Sequence, residues 1–212
     1  MKFFLYCNFL LLSMALTPFL VYSQQPAFIM GVEDVFNMPG IGAMVTGTIE
    51  SGTVEKGMKL ELLGKGDSVY LVSVVMINRN RSQLNTATKG DTITLNLRGV
   101  KAADIKRGMV LSHPGIFKRY TEVELSLRLL PANESGQKES LKSGQRVLLA
   151  IRSDLVSAVV TVLNPPKEIR PGETGTTRLV FQEPVPVLVN DSVSFKIFNR
   201  TFGTALVTNL IR

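Results

Sequence analysis

The sequence predicts an all-β protein built from two consecutive small domains. Three observations carry this. Glycine recurs at short intervals between runs rich in Val, Ile, Leu and Thr; helical periodicity is never sustained beyond a turn or two; and 212 residues suit two units of about 100 residues each. With 45% hydrophobic and 19% charged residues and no low-complexity tract, both units can bury a core and long disorder is not expected.

The first unit opens at Phe28. Strands are expected at Phe28 to Phe36, Ala43 to Glu50, Met58 to Leu63, Val69 to Ile77, Asp91 to Leu97 and Met109 to Ser112. Pro39-Gly40-Ile41-Gly42, Ser51-Gly52 and Lys56-Gly57 supply the glycines that tight turns need, so these strands should be short and close into a barrel. Lys101 to Arg107, closed by Gly108, reads as a helical turn. His113-Pro114-Gly115 interrupts the pattern, and the domain boundary is placed so that residues 26–117 form the first unit and 118–212 the second.

In the second unit strands are expected at Tyr120 to Leu130, Gln145 to Ile151, Ser157 to Leu163, Thr176 to Val187, Ser192 to Phe198 and Gly203 to Ile211, as a barrel or a sandwich. Pro184 and Pro186 cannot donate to a ladder and belong on an edge or at a bulge.

Residues 1–25 form a leader. Lys2 precedes a mostly apolar run from Phe3 to Val21, and Val21 and Ser23 occupy small-residue positions before a cleavage point, as in a secretory signal. A membrane anchor is the alternative, against which Asn8, Ser13, Thr17 and Pro18 interrupt the run. A mitochondrial presequence would be arginine-rich, and the first arginine is Arg79. A third possibility is that the leader is not native to the downstream protein.

Composition narrows the chemistry. The single cysteine, Cys7, excludes an intrachain disulfide, and the single histidine, His113, excludes His-based triads and multi-histidine metal sites. His113 reads as a loop residue beside Pro114-Gly115. Gly64-Lys65-Gly66-Asp67-Ser68 has neither the spacing nor the following helix of a phosphate-binding loop, so nucleotide hydrolysis is not expected. Glu33-Asp34 are adjacent carboxylates, but neighbours on a strand point to opposite faces. No catalytic or metal-binding residue is assigned. The excess of 24 basic over 17 acidic residues, a net +7, favours a polyanionic partner.

Several stretches, in order, resemble domains two and three of elongation factor Tu, over Phe28 to Ile211. Val32-Glu33-Asp34-Val35-Phe36 is similar to the family's opening strand and Pro39 to Gly47 to its glycine-rich turn and second strand. Gly90-Asp91-Thr92, Leu97-Arg98-Gly99-Val100, Ile105 to Leu111 and Pro114 to Lys118 follow. Arg200 to Asn209 resembles the closing strand in a form near the mitochondrial versions.

The resemblance implies two antiparallel barrels that, with a GTP-binding domain in front, carry aminoacyl-tRNA to the ribosome. That domain would hold GTP and magnesium, so no cofactor and no enzymatic activity are expected of this chain. Expected partners are aminoacyl-tRNA and, beyond it, a GTP-binding domain or the ribosome. DNA is not among them, and a membrane enters only through an uncleaved leader. The resemblance maps the pocket for the aminoacylated 3′ end onto Glu33, Asp34, Phe36 and Thr46, where a ring beside polar groups suits a terminal adenosine. It maps backbone contacts onto Arg152 and Arg200, which would position RNA without reading its sequence.

This chain departs from the family at several points. Ile41 stands in place of arginine, Val75 in place of glutamate and Leu148 in place of a polar residue. Asn78 to Lys89 is about three residues longer than usual, and Ser135-Gly136-Gln137-Lys138 replaces a basic, histidine-bearing loop. The chain therefore reads as a truncated or degenerate Tu-type factor. Alternatives are a secreted or surface interaction protein derived from the fold and the barrel pair of another translational GTPase. The family implies the mitochondrion; the leader implies the secretory route.

Overall fold

The computed structural model describes residues 26–136, 138–164, 167–197 and 200–212, so the leader reading lies outside the described residues. The first unit contains β1 (Ile29–Gly31), β2 (Asp34–Met38), β3 (Gly42–Ser51), β4 (Thr53–Glu55), β5 (Lys59–Leu63), β6 (Val69–Arg79), β7 (Ser82–Leu84), β8 (Thr86–Thr88), β9 (Thr92–Arg98) and β10 (Val110–Ser112). Antiparallel pairing runs β1-β10-β5-β6-β9-β3, and β3 returns to β1, which closes a six-stranded ring. The ring encloses a core that includes Phe28, Met30, Val45, Ile49, Leu60, Leu62, Ile77, Leu95 and Leu111.

The second unit contains β11 (Lys118–Leu129), α1 (Ala132–Ser135), β12 (Leu141–Lys142), β13 (Arg146–Ile151), β14 (Asp154–Val162), β15 (Glu168–Ile169), β16 (Thr174–Val187), β17 (Ser192–Ile197) and β18 (Arg200–Leu210). Strands β11-β16-β14-β13-β17-β18 close a second antiparallel barrel, since β18 also pairs β11. Alternation along β13 sends Val147, Leu149 and Ile151 inward and leaves Arg146 outside. Inside, Phe195 and Phe202 meet edge to face at 5.9 Å. The barrel resolves the choice between barrel and sandwich.

Several expectations are refined. The single opening strand divides, because at Val32 the chain turns to exchange backbone hydrogen bonds with the Gly108–Met109 segment before β2 begins. The turn expected over Lys101 to Arg107 is confined to a 3-10 turn at Ala102–Asp104. Pro184 and Pro186 fall at an irregularity. Tyr120 pairs Val185 while Glu122 pairs Val180, so β16 bulges where proline would otherwise interrupt the ladder.

The barrels meet along a polar seam. Lys65 reaches Asp154 at 3.1 Å and the Leu155 carbonyl at 2.8 Å, Gly66 N–H donates to the Pro184 carbonyl, and Arg119 donates to the Gly66 carbonyl. Gly108, at φ +89°, packs so closely that a Cβ there would lie 2.5 Å from the Asp154 Cβ. Only glycine satisfies both the backbone angle and that approach.

Candidate nucleic-acid interface

Two rows of side chains cross the outer face of the first barrel. Antiparallel partners share a face, so the register aligns Asp34, Thr46, Thr94 and Asn78 in one row and Phe36, Met44, Asn96 and Met76 in the next. The rows align because β6 carries an extra residue at Val75. The register slips between Val74 and Met76, turning Met76 and Asn78 outward.

The polar row is exposed or half-buried. The Thr46 and Thr94 hydroxyls lie 3.0 Å apart, and the Asp34 carboxylate accepts the Val35 N–H at 2.9 Å. In the other row Met44 and Asn96 are buried, Met76 is half-buried and Phe36 is 48% exposed. Asn96 Nδ2 donates to the carbonyls of Ile41 and Ala43, at 3.0 and 3.2 Å, and so ties the β2–β3 turn to β9. Met38 and Ile41 extend the exposed apolar surface at that turn.

Of the residues anticipated from sequence, the structure brings Asp34, Phe36 and Thr46 together. Glu33 stands apart from the two rows, between β1 and β2, half-buried, with its N–H on the Thr46 carbonyl at 2.8 Å. Thr94, Asn96, Met76 and Asn78 were missed. The Leu-Asn-Leu alternation in Leu95-Asn96-Leu97 is the one signal for them, since it marks a polar outward position.

The two arginines anticipated as backbone contacts do not converge. Arg152 follows the last residue of β13, level with the start of β17, where Ile151 pairs Val193, whereas Arg200 pairs Ile197 at the far end. From Ser192 to Ile197 is five steps, roughly 17 Å at about 3.3 Å each. Arg152 also has no free face. Its side chain is 9% exposed, Nε binds Glu50 at 3.0 Å, Nη2 binds Asp191 at 2.5 Å, and the guanidinium stacks 4.8 Å from the Phe117 ring. In this structure Arg152 is a tie between the barrels, engaged by two carboxylates.

Arg200 is exposed, with its guanidinium beside Gly136. On the same end of the second barrel Arg146 is exposed and Lys196, which pairs Leu148, is half-buried; both line a cavity of about 380 Å³. Arg178 is another outward arginine, but it forks between Glu122 at 3.3 Å and Glu124 at 2.8 Å. The hydrogen bond from Arg178 holds the Glu124 carboxyl below its usual range, and Glu124 in turn raises Arg178. Between the barrels a second cavity of about 300 Å³ is lined by Lys65, Lys106, Arg107, Asp154 and Glu183 among others. Among the described residues Lys106 and Arg107 form no ion pair, and no group of three or more His, Cys, Asp or Glu is placed to hold a metal ion.

The strand order and the two-row face belong to a barrel that a family comparison also picks out. Residues 42–112 match Elongation factor Tu domain 2. The match runs from the first residue of β3 to the last residue of β10, and so includes Thr46, Met76, Asn78, Thr94 and Asn96. Strand β2, with Asp34 and Phe36, lies just before it. The first barrel is therefore translation-factor-like, and the chain is two antiparallel barrels in tandem.

Proposed function

We propose that the chain is a Tu-type barrel pair that binds the aminoacylated 3′ end of tRNA on the outer face of β2, β3, β9 and β6. The observation that carries this reading is the pairing of an exposed aromatic ring, Phe36, with a parallel row of hydrogen-bonding groups, Asp34, Thr46, Thr94 and Asn78. A nucleobase can stack on the ring while its ribose or base edge bonds to the row. Glu33 borders this surface. The second barrel contributes phosphate contacts through Arg200, Arg146 and Lys196, and the inter-barrel cleft contributes Lys106 and Arg107. These groups supply attraction without sequence readout.

In this reading the chain contributes binding and no catalytic group, and it takes no cofactor of its own. Any GTP and magnesium would be held by a separate or preceding GTP-binding domain. Apolar residues at Ile41, Val75 and Leu148 remove polar contacts the family employs, which makes the chain a divergent member with weakened affinity. Its likeness to mitochondrial versions points to that compartment.

The test is binding of charged and uncharged tRNA at two salt concentrations. Preference for the charged form that survives at higher salt supports a 3′-end pocket. Equal affinity for both, lost together as salt rises, would leave only electrostatic attraction and refute it.

A further inference from the structure

The cavity between the barrels leaves several hydrogen-bond donors unused. The Gly64 to Ser68 string, too short for a nucleotide-type phosphate loop, forms the β5–β6 connection and brings Lys65 and Ser68 to the cavity wall. Lys65 spends two of its three protons, on Asp154 and on the Leu155 carbonyl. Among the described residues the Ser68 hydroxyl makes no hydrogen bond. Lys106 and Arg107 reach the same wall from a turn closed by the Met109 N–H on the Lys106 carbonyl at 3.2 Å. Gly108, at φ +89° and pressed against Asp154, fixes that turn, so both cations are held at the cavity by backbone and not by an ion pair. Arg152 completes the wall from the second barrel. Its side chain is 9% exposed, and Nη1 is buried with no hydrogen-bond partner among the described residues.

We propose that this cavity binds a small oxyanion of the phosphate class, inorganic phosphate or a phosphomonoester, and that the bound anion joins the two barrels. Charge selects the sign of the ligand. Asp154 is engaged by Lys65, and Arg152 by Glu50 and Asp191, so the uncommitted charges on the wall are Lys106 and Arg107 against the exposed Glu183. The balance favours an anion. A phosphate offers several acceptor oxygens to donors that converge from three chain segments, where a single carboxylate would leave more of them unused. Size selects the source: about 300 Å³ lies at the small end of ligand pockets, so a phosphate or a small ester fits inside and a nucleic-acid strand does not. An oxygen seated against Arg152 would also give Nη1 the partner it lacks, relieving the cost of a buried unpaired donor. The site goes beyond the 3′-end pocket, which lies on β2, β3, β9 and β6. It shares with that functional reading only Lys106 and Arg107, for which RNA phosphates and the free anion compete.

The experiment is titration calorimetry of the full, RNA-free chain with inorganic phosphate, with glycerol phosphate and with a short single-stranded RNA, at constant ionic strength set by chloride. Saturable one-to-one binding of inorganic phosphate and of glycerol phosphate is expected, with a rise in the unfolding temperature. Lys106→Gln and Arg107→Gln should each weaken it about tenfold, the loss of one charge-assisted hydrogen bond. Glu183→Gln should tighten it by roughly two- to fivefold, the scale of one exposed charge interaction. A titration with phosphate that never saturates would overturn the proposal, as would an affinity that Arg107→Gln leaves unchanged or that Glu183→Gln fails to raise. Binding of the RNA alone would also overturn it, by assigning the two cations to a polymer backbone. Preference for charged over uncharged tRNA is a separate measurement, so the 3′-end pocket can fail while phosphate still binds, and the reverse.

Discussion

Arg152 of the second barrel and Glu50 of the first form an ion pair at 3.0 Å, and the same guanidinium binds Asp191 at 2.5 Å while covering the Phe117 ring. The arginine joins β3, the β16–β17 turn and the inter-barrel segment at one point. Nη1 is buried without a partner, so removing the carboxylates would leave the charge still less compensated.

Arg152→Ala should destabilise the protein by roughly 3 kcal/mol, the low end of the cost of breaking a buried pair, because Glu50 is partly exposed and its share is screened. Denaturant unfolding followed by far-ultraviolet circular dichroism measures it. Separation of one transition into two is expected if the tie couples the barrels. Arg152→Lys should recover little, since an ammonium cannot serve both carboxylates and stack on the ring.

Much of this architecture was legible in the sequence because strand length is a local property. Strands such as β3, β6 and β16 announce themselves by β-branched runs between glycines, and the predicted limits lie within a few residues of the observed ones. The short pair β4 and β8 was not legible, since three-residue strands have no periodicity to read. The site was half legible for the same reason. Asp34, Phe36 and Thr46 lie on one hairpin, where local register is enough. Met76 and Asn78 reach the face only through the bulge at Val75, which depends on β9. The fate of Arg152 was invisible, because a strand-end arginine facing solvent and one facing a second barrel have the same local sequence.

Phe36→Ala should weaken binding of charged tRNA by roughly 1–3 kcal/mol, the cost of losing one stacked base, with little effect on stability because the ring is 48% exposed. Filter binding beside a thermal melt separates the two effects. Phe36→Tyr should retain affinity, since it keeps a stacking face.

Asn96→Leu removes the donor for the Ile41 and Ala43 carbonyls at a buried position. The expected loss is about 1–3 kcal/mol, the penalty for removing the donor from the buried Ala43 carbonyl bond and the partly buried Ile41 one. Hydrogen exchange should locate the loosening in the β2–β3 turn. Exchange that accelerates uniformly across the first barrel would show that Asn96 supports the whole ring.

Asp91 provides a pH signature. Its carboxylate accepts the Thr88 N–H at 2.9 Å and pairs with Arg79 at 2.6 Å, and these contacts, the backbone hydrogen bond foremost, hold its pKa below the ordinary aspartate value. A depressed folded pKa means that the unfolded chain takes up the proton first. The contribution to stability is therefore fully present above the unfolded value, about 3.9, and is lost as pH falls through the lower folded value. Asp91→Asn removes that titration. The variant should be less stable than the parent at neutral pH, and the gap should narrow as the solution is acidified below about pH 4. Equilibrium unfolding at neutral pH and at successive acidic values checks this. A gap that stays constant down the acid limb would mean that the Asp91 charge plays no part in holding the Thr88 turn against β6, and that the carboxylate acts there only as a neutral acceptor that asparagine fails to replace.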